Sequence, residues 1–87
     1  MALHLSIVTP AAPIVETEVD TVVLPGAEGQ FGVLEQHELL LAPLKEGVLT
    51  YAVSGQTRAV EIAGGFAEVT HGAVTVLADD AQPVSLQ

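Results

Sequence analysis

Apolar and polar positions alternate with a period of two from the start of the chain. Leu3, Leu5 and Ile7 are interleaved with His4, Ser6 and Val8. That spacing sends one set to each face of an extended backbone and predicts a first strand. Pro10 and Pro13 end it, because proline cannot donate to a ladder. Residues 14–17 predict a short strand, and the β-branched run at 19–24 predicts a better one, closed by Pro25-Gly26. Three of the eight glycines, Gly26, Gly29 and Gly32, fall within seven positions here. The segment reads as a tight corner with a short strand at 30–34, since glycine permits sharp backbone turns. Residues 37–44 are rich in leucine, but Pro43 leaves too short a run for a stable helix, so this too predicts a strand. Glu46-Gly47 reads as a turn, and residues 48–53 and 57–62 as strands around a hairpin turn at Ser54-Gly55-Gln56. Gly64-Gly65 interrupts the pattern as a bulge or kink. Residues 66–70 and 73–78 flank a two-residue hairpin signal, His71-Gly72.

The sum is all-β: a flattened sandwich or barrel of about nine or ten short strands with turn signals every 8–12 residues or so. Residues 1–80 form the expected domain, closed by Asp79-Asp80, and 81–87 a carboxyl-terminal tail. Leu5, Ile7, Val22, Val60, Val74 and Val76 are expected in the core.

Composition then narrows the function. The chain has 87 residues, 49% hydrophobic and only 15% charged. A small domain exposes much surface for its volume, so some apolar side chains must face outward, and an exposed apolar patch marks a partner site. Net charge is −9, with Lys45 and Arg58 the only cations beside three histidines. Such a surface repels nucleic acid, which is bound through Lys and Arg on phosphates, and gains nothing from anionic lipid headgroups. With no cysteine, disulfides, thiolate metal sites and a cysteine nucleophile are out. No basic leader followed by an apolar run opens the chain. No apolar run approaches the roughly 20 residues of a membrane helix.

No catalytic constellation appears. His4, His37 and His71 lack metal-ligand spacing, so no metal and no cofactor is expected. Ser6, Ser54 and Ser85 sit in no nucleophile elbow. Glu16, Glu18 and Asp20 alternate along one solvated strand face, and Glu28, Glu35 and Glu38 surround the glycine corner. Gly26-x-x-Gly29-x-x-Gly32 has the wrong first spacing for a dinucleotide loop. Lys45, in Leu-Lys-Glu-Gly, does not suit the modified lysine of a biotinyl or lipoyl carrier.

The order Leu24-Pro-Gly-Ala-Glu-Gly-Gln-Phe-Gly-Val-Leu34, His37, Leu39-Leu40, Lys45-Glu46-Gly47-Val48, Gly64-Gly65-Phe66-Ala67-Glu68-Val69, Val74-Thr75-Val76-Leu77-Ala78-Asp79 resembles the epsilon subunit of F-type ATP synthases, called delta in mitochondria. The resemblance covers the amino-terminal β-sandwich domain. It departs at Glu35-Gln36-His37-Glu38-Leu39-Leu40, where the family commonly has Pro-Gly-His-x-Pro-Leu. It does not reach the family's carboxyl-terminal helical hairpin, so that hairpin's restraint of ATP hydrolysis is not carried onto these residues. The resemblance implies a non-catalytic rotor subunit of the central stalk, linking the gamma subunit to the membrane c-ring and coupling ion flow to ATP synthesis. It implies a peripheral location on the cytoplasmic face of the bacterial inner membrane. By position it implies a c-ring contact at Glu28, Gly29, Gln30 and Phe31, and a gamma contact at Thr9, His37 and Ala42. The rival classes are a small adaptor sandwich and a metal-binding barrel.

Overall fold

A computed structural model describes residues 3–33 and 39–85. It contains eight strands: β1 (Leu3–Val8), β2 (Pro13–Val19), β3 (Thr21–Gly26), β4 (Gly29–Val33), β5 (Leu40–Val53), β6 (Gln56–Thr70), β7 (Ala73–Ala78) and β8 (Ala81–Val84). They hydrogen-bond in the order β2-β1-β7-β6-β5-β3-β4, with β8 beside the first part of β6. Every pairing is antiparallel except β1 with β7. Strands from both ends of this order share one core. Leu3, Leu5 and Ile7 of β1 and Val74 and Val76 of β7 pack in the same cluster as Val22 and Leu24 of β3 and Val33 of β4. The sheet is therefore folded over on itself as a sandwich.

The fold hangs on two long strands. β5 and β6 pair along their whole length, and the ladder runs from Leu44↔Gly65 to Glu46↔Ala63 without a slip in register. On its other side β6 changes neighbour. Ala59 to Ile62 pair with β8, and Gly65 to Thr70 pair with β7. The strand bends at the change, where Gly64 and Gly65 have φ of 114° and 137°. A Cβ at Gly65 would run into the Leu77 carbonyl, so glycine is demanded twice, by torsion and by space. The bend is tied by Asp79 N–H to the Gly64 carbonyl at 2.9 Å and Ala63 N–H to the Asp80 carbonyl at 3.0 Å.

All six residues expected in the core are buried to within 1%. Several boundaries move. Among the described residues there are eight strands, not nine or ten, because Glu46-Gly47 is no turn and Gly64-Gly65, kinked as expected, does not end its strand. Both lie inside continuous strands. The short strand at 14–17 extends to Pro13–Val19, and that at 19–24 shifts to Thr21–Gly26 with Asp20 as the corner. Ala81–Val84, expected as tail, is β8. The hairpin turn expected at Ser54-Gly55-Gln56 is present but one residue shorter, with Gln56 already in β6 and both Ser54 and Gly55 at positive φ, 52° and 81°. Asp20 secures it, its carboxylate accepting from Ser54 N–H at 3.2 Å.

Candidate functional site

The first candidate surface is the β3–β4 hairpin. Gly26 pairs with Gly29 across the two-residue turn Ala27-Glu28. Of the three glycines in this corner, only Gly29 takes positive φ, 131°. Glu28, Gly29 and Gln30 are exposed at the tip. Phe31 is different. It is half-buried, packs against the core, and lays its ring edge where a Cβ on Gly26 would stand, 2.8 Å away. Ala27 N–H donates to the Pro43 carbonyl at 3.0 Å, which ties the tip to β5. A groove lies between the hairpin and β5, lined by Gly26 to Gly29, Phe31, Leu41, Ala42 and Pro43. Ala42 thus shares a groove with the hairpin rather than standing apart from it.

The second surface is an apolar row crossing four strands. Val8 of β1 pairs with Leu77 of β7, Leu77 with Phe66 of β6, and Phe66 with Pro43 of β5. Phe66 is 51% exposed and Leu77 56%. Leu41, two positions from Pro43 on the same face, is 68% exposed. Large hydrophobics this open in a chain so poor in charge form a patch of the kind that binds a partner. A groove of about 690 Å³ runs along it, lined also by Thr9, Leu44 and Asp79. That volume would admit a small molecule, but such sites converge several free polar groups on their ligand. Thr9 does not supply one. Its backbone N–H and its hydroxyl both donate to the Ala12 carbonyl, at 3.0 and 2.9 Å, and Ala12 N–H returns to the hydroxyl at 3.2 Å. The groove suits apolar side chains.

Pro43 lines both grooves. Glu28, Gly29, Phe31 and Ala42 on one side and Thr9 on the other therefore border two grooves that meet at this proline. His37 lies outside the described residues. The sequence reading left out Pro43, Phe66, Leu77 and Leu41. Their signal was available: Phe66 and Leu77 are out of phase with the buried Ala67, Val69, Val74 and Val76 on their own strands.

Elsewhere the surface is plain. His4 bridges β1 to the edge strand β2, with Nδ1 3.1 Å from a Glu18 oxygen and Nε2 3.4 Å from a Glu16 oxygen. The hydrogen bond to Glu18, with help from Glu16, raises its pKa above 6.5. Among the described residues, no group of three or more His, Cys, Asp or Glu side chains is arranged to hold a metal ion. No helix there is long and apolar enough to cross a membrane.

The chain is 48% identical over 81 residues to the ATP synthase epsilon chain of Nitratidesulfovibrio vulgaris, covering 93% of this chain and 60% of that protein. It is 39% identical over 79 residues to that of Desulfitobacterium hafniense, covering 91% and 60%. It thus spans about three-fifths of these relatives' length. Among solved structures, it superposes with a TM-score of 0.88 and 28% identity on a chain of the Euglena gracilis mitochondrial ATP synthase OSCP/F1/c-ring assembly, covering 94% of this chain and 53% of that one. A chain from the central stalk and c-ring of the Tetrahymena thermophila enzyme shares the fold, with a TM-score of 0.75 at 14% identity. Residues 2–84 match the family model of the ATP synthase delta/epsilon chain β-sandwich domain, and with the folded-over sheet and its outward apolar row, the chain belongs to that family.

Proposed function

We propose that this sandwich works as a non-catalytic rotor element of an F-type ATP synthase, joining the gamma subunit to the membrane c-ring so that ion flow is coupled to ATP synthesis. The observation that carries it is the exposed row Val8–Leu77–Phe66–Pro43, contiguous with the β3–β4 hairpin. A joint between two partners needs two adjoining contact surfaces on one stiff body. The row receives gamma, with Thr9 and Ala42 at its margins and His37 matching the same face by position. The hairpin tip, Glu28 to Gln30, faces the polar loops of the ring, and Phe31 holds the hairpin in shape from beneath. A surface with net charge −9 favours partners with basic rims, which steer association. The domain is held at the cytoplasmic face of the bacterial inner membrane through the complex.

Binding of purified gamma to the chain tests the reading. Phe66→Asp with Leu77→Asp places two charges in the apolar row and should weaken binding by at least about tenfold, since unpaired charge buried at an interface is costly, while the circular dichroism spectrum stays that of wild type. Gamma binding unchanged in the folded double variant would remove this face from the joint.

A further inference from the structure

Among the described residues, three strands pair on one side only, and two of them are guarded. β2 carries Pro13, Glu16 and Glu18, and β8 is four residues long with Pro83 inside it. Prolines, charges and shortness are the usual protections against unwanted pairing. The third, β4, ends the strand order and reads Gly29-Gln30-Phe31-Gly32-Val33, with no charge and no proline.

The register identifies its free backbone groups. Pro25 has no N–H, so the Gly26–Gly29 pair closing the turn is hydrogen-bonded, and such pairs alternate along an antiparallel ladder. Leu24–Phe31 and Val22–Val33 are then bonded as well, while Pro25–Gln30 and Val23–Gly32 are not. The N–H and C=O of Gln30 and Gly32 therefore point away from β3. Among the described residues, no strand pairs with them.

Gly32 supplies a second, separate observation. Gly29, Gly55, Gly64, Gly65 and Gly72 have positive φ, and a Cβ on Gly26 or Gly47 would come within 3 Å of Phe31 or Pro25. Gly32 has neither reason. Its φ lies outside the left-handed region, and a Cβ there would meet only the Val22 carbonyl, at 3.8 Å. Glycine inside a strand costs about 0.5–1 kcal/mol relative to alanine, so the fold alone would favour a side chain. A bare strand position that the fold does not need is a place where another backbone comes close.

We propose that the outer edge of β4 is a backbone-recognition site, in which the N–H and C=O groups of Gln30 and Gly32 hydrogen-bond the main chain of a polar loop of the membrane ring. This rests on the proposed reading of the hairpin as the ring-facing element. The edge begins two residues from the carboxylate of Glu28, so the loop it fits is uncharged across Gly32 and basic toward Glu28. A second copy of this chain is the poorer occupant, since two molecules of net charge −9 repel.

Amide hydrogen exchange of the chain in complex with gamma, with and without detergent-solubilised c-ring, tests the proposal. Without the ring, the Gln30 and Gly32 amides should exchange fast and the Phe31 and Val33 amides slowly. Adding the ring should slow Gln30 and Gly32 by at least about tenfold, as new hydrogen bonds require. Gly32→Val should fold as wild type and bind the ring about tenfold more weakly. No binding of the ring by wild type overturns both this proposal and the ring-facing reading. Ring binding with Gln30 and Gly32 exchange unchanged overturns this proposal alone.

Discussion

The β6–β7 ladder presents two faces one residue apart. Ala67 and Val76 sit opposite each other with no exposure, and Phe66 and Leu77 sit opposite each other half in solvent. On β6 the small residue faces in and the aromatic faces out. Size alone would assign them the other way. What decides is phase: Val69 on the same strand is buried, and period two carries Ala67 inward with it, while Val60 and Ile62, buried on the far side of the Gly64-Gly65 bend, keep the opposite phase. The inner face is shaped by what the sandwich must bury, and the outer face by what the fold leaves for a partner.

The bend between these faces is the first place to break the comparison. Gly65→Ala adds a Cβ at positive φ against the Leu77 carbonyl, and strain and overpacking together should cost about 3 kcal/mol or more. A urea titration should show a transition at much lower denaturant or none. Inner-face truncation comes next. Leu5→Ala should cost about 2–5 kcal/mol and Val76→Ala less, because each opens a cavity in a fully buried site. Unchanged midpoints in thermal melts of both would mean that the strand phase is wrong. On the outer face, Phe66→Ala and Leu77→Ala should each change stability by no more than about 1 kcal/mol while weakening gamma binding. A loss as large as that of Val76→Ala would make the row part of the core. Still smaller is the pH effect at the β1–β2 margin. The His4 pKa is raised, chiefly by Glu18, so the stabilisation is full below pH 6.5 and fades as pH rises through the higher folded value. An NMR titration should place the His4 midpoint above 6.5, and Glu18→Gln should move it down.

The inner face was legible in the sequence because burial imposes a period that survives even where side chains are small. Leu5, Ile7, Val22, Val60, Val74 and Val76 follow from spacing alone. The long strands were not legible. Gly47, Gly64 and Gly65 look like punctuation in a linear reading, but here they let strands cross from one layer to the other. Gly47 makes room for Pro25, whose ring would stand 2.9 Å from an added Cβ. Asp79-Asp80 misled in the same way. It marks a corner that returns Ala81–Val84 to β6, a pairing with no local signature. At the candidate site the hairpin tip was readable from its glycines. The meeting of both surfaces at Pro43 was not, because it depends on which strands become neighbours.

The unslipped β5–β6 ladder has a mechanical consequence. Both layers of the sandwich contain parts of the same two strands, so neither layer can slide or hinge without shearing that ladder along its length. Hydrogen bonds in such a ladder lie across the strands, and a force along them loads many bonds at once instead of peeling them singly. Twist applied at the hairpin end therefore reaches the apolar row with little elastic loss. In the proposed role, that stiffness would make the domain a coupling pin rather than a spring.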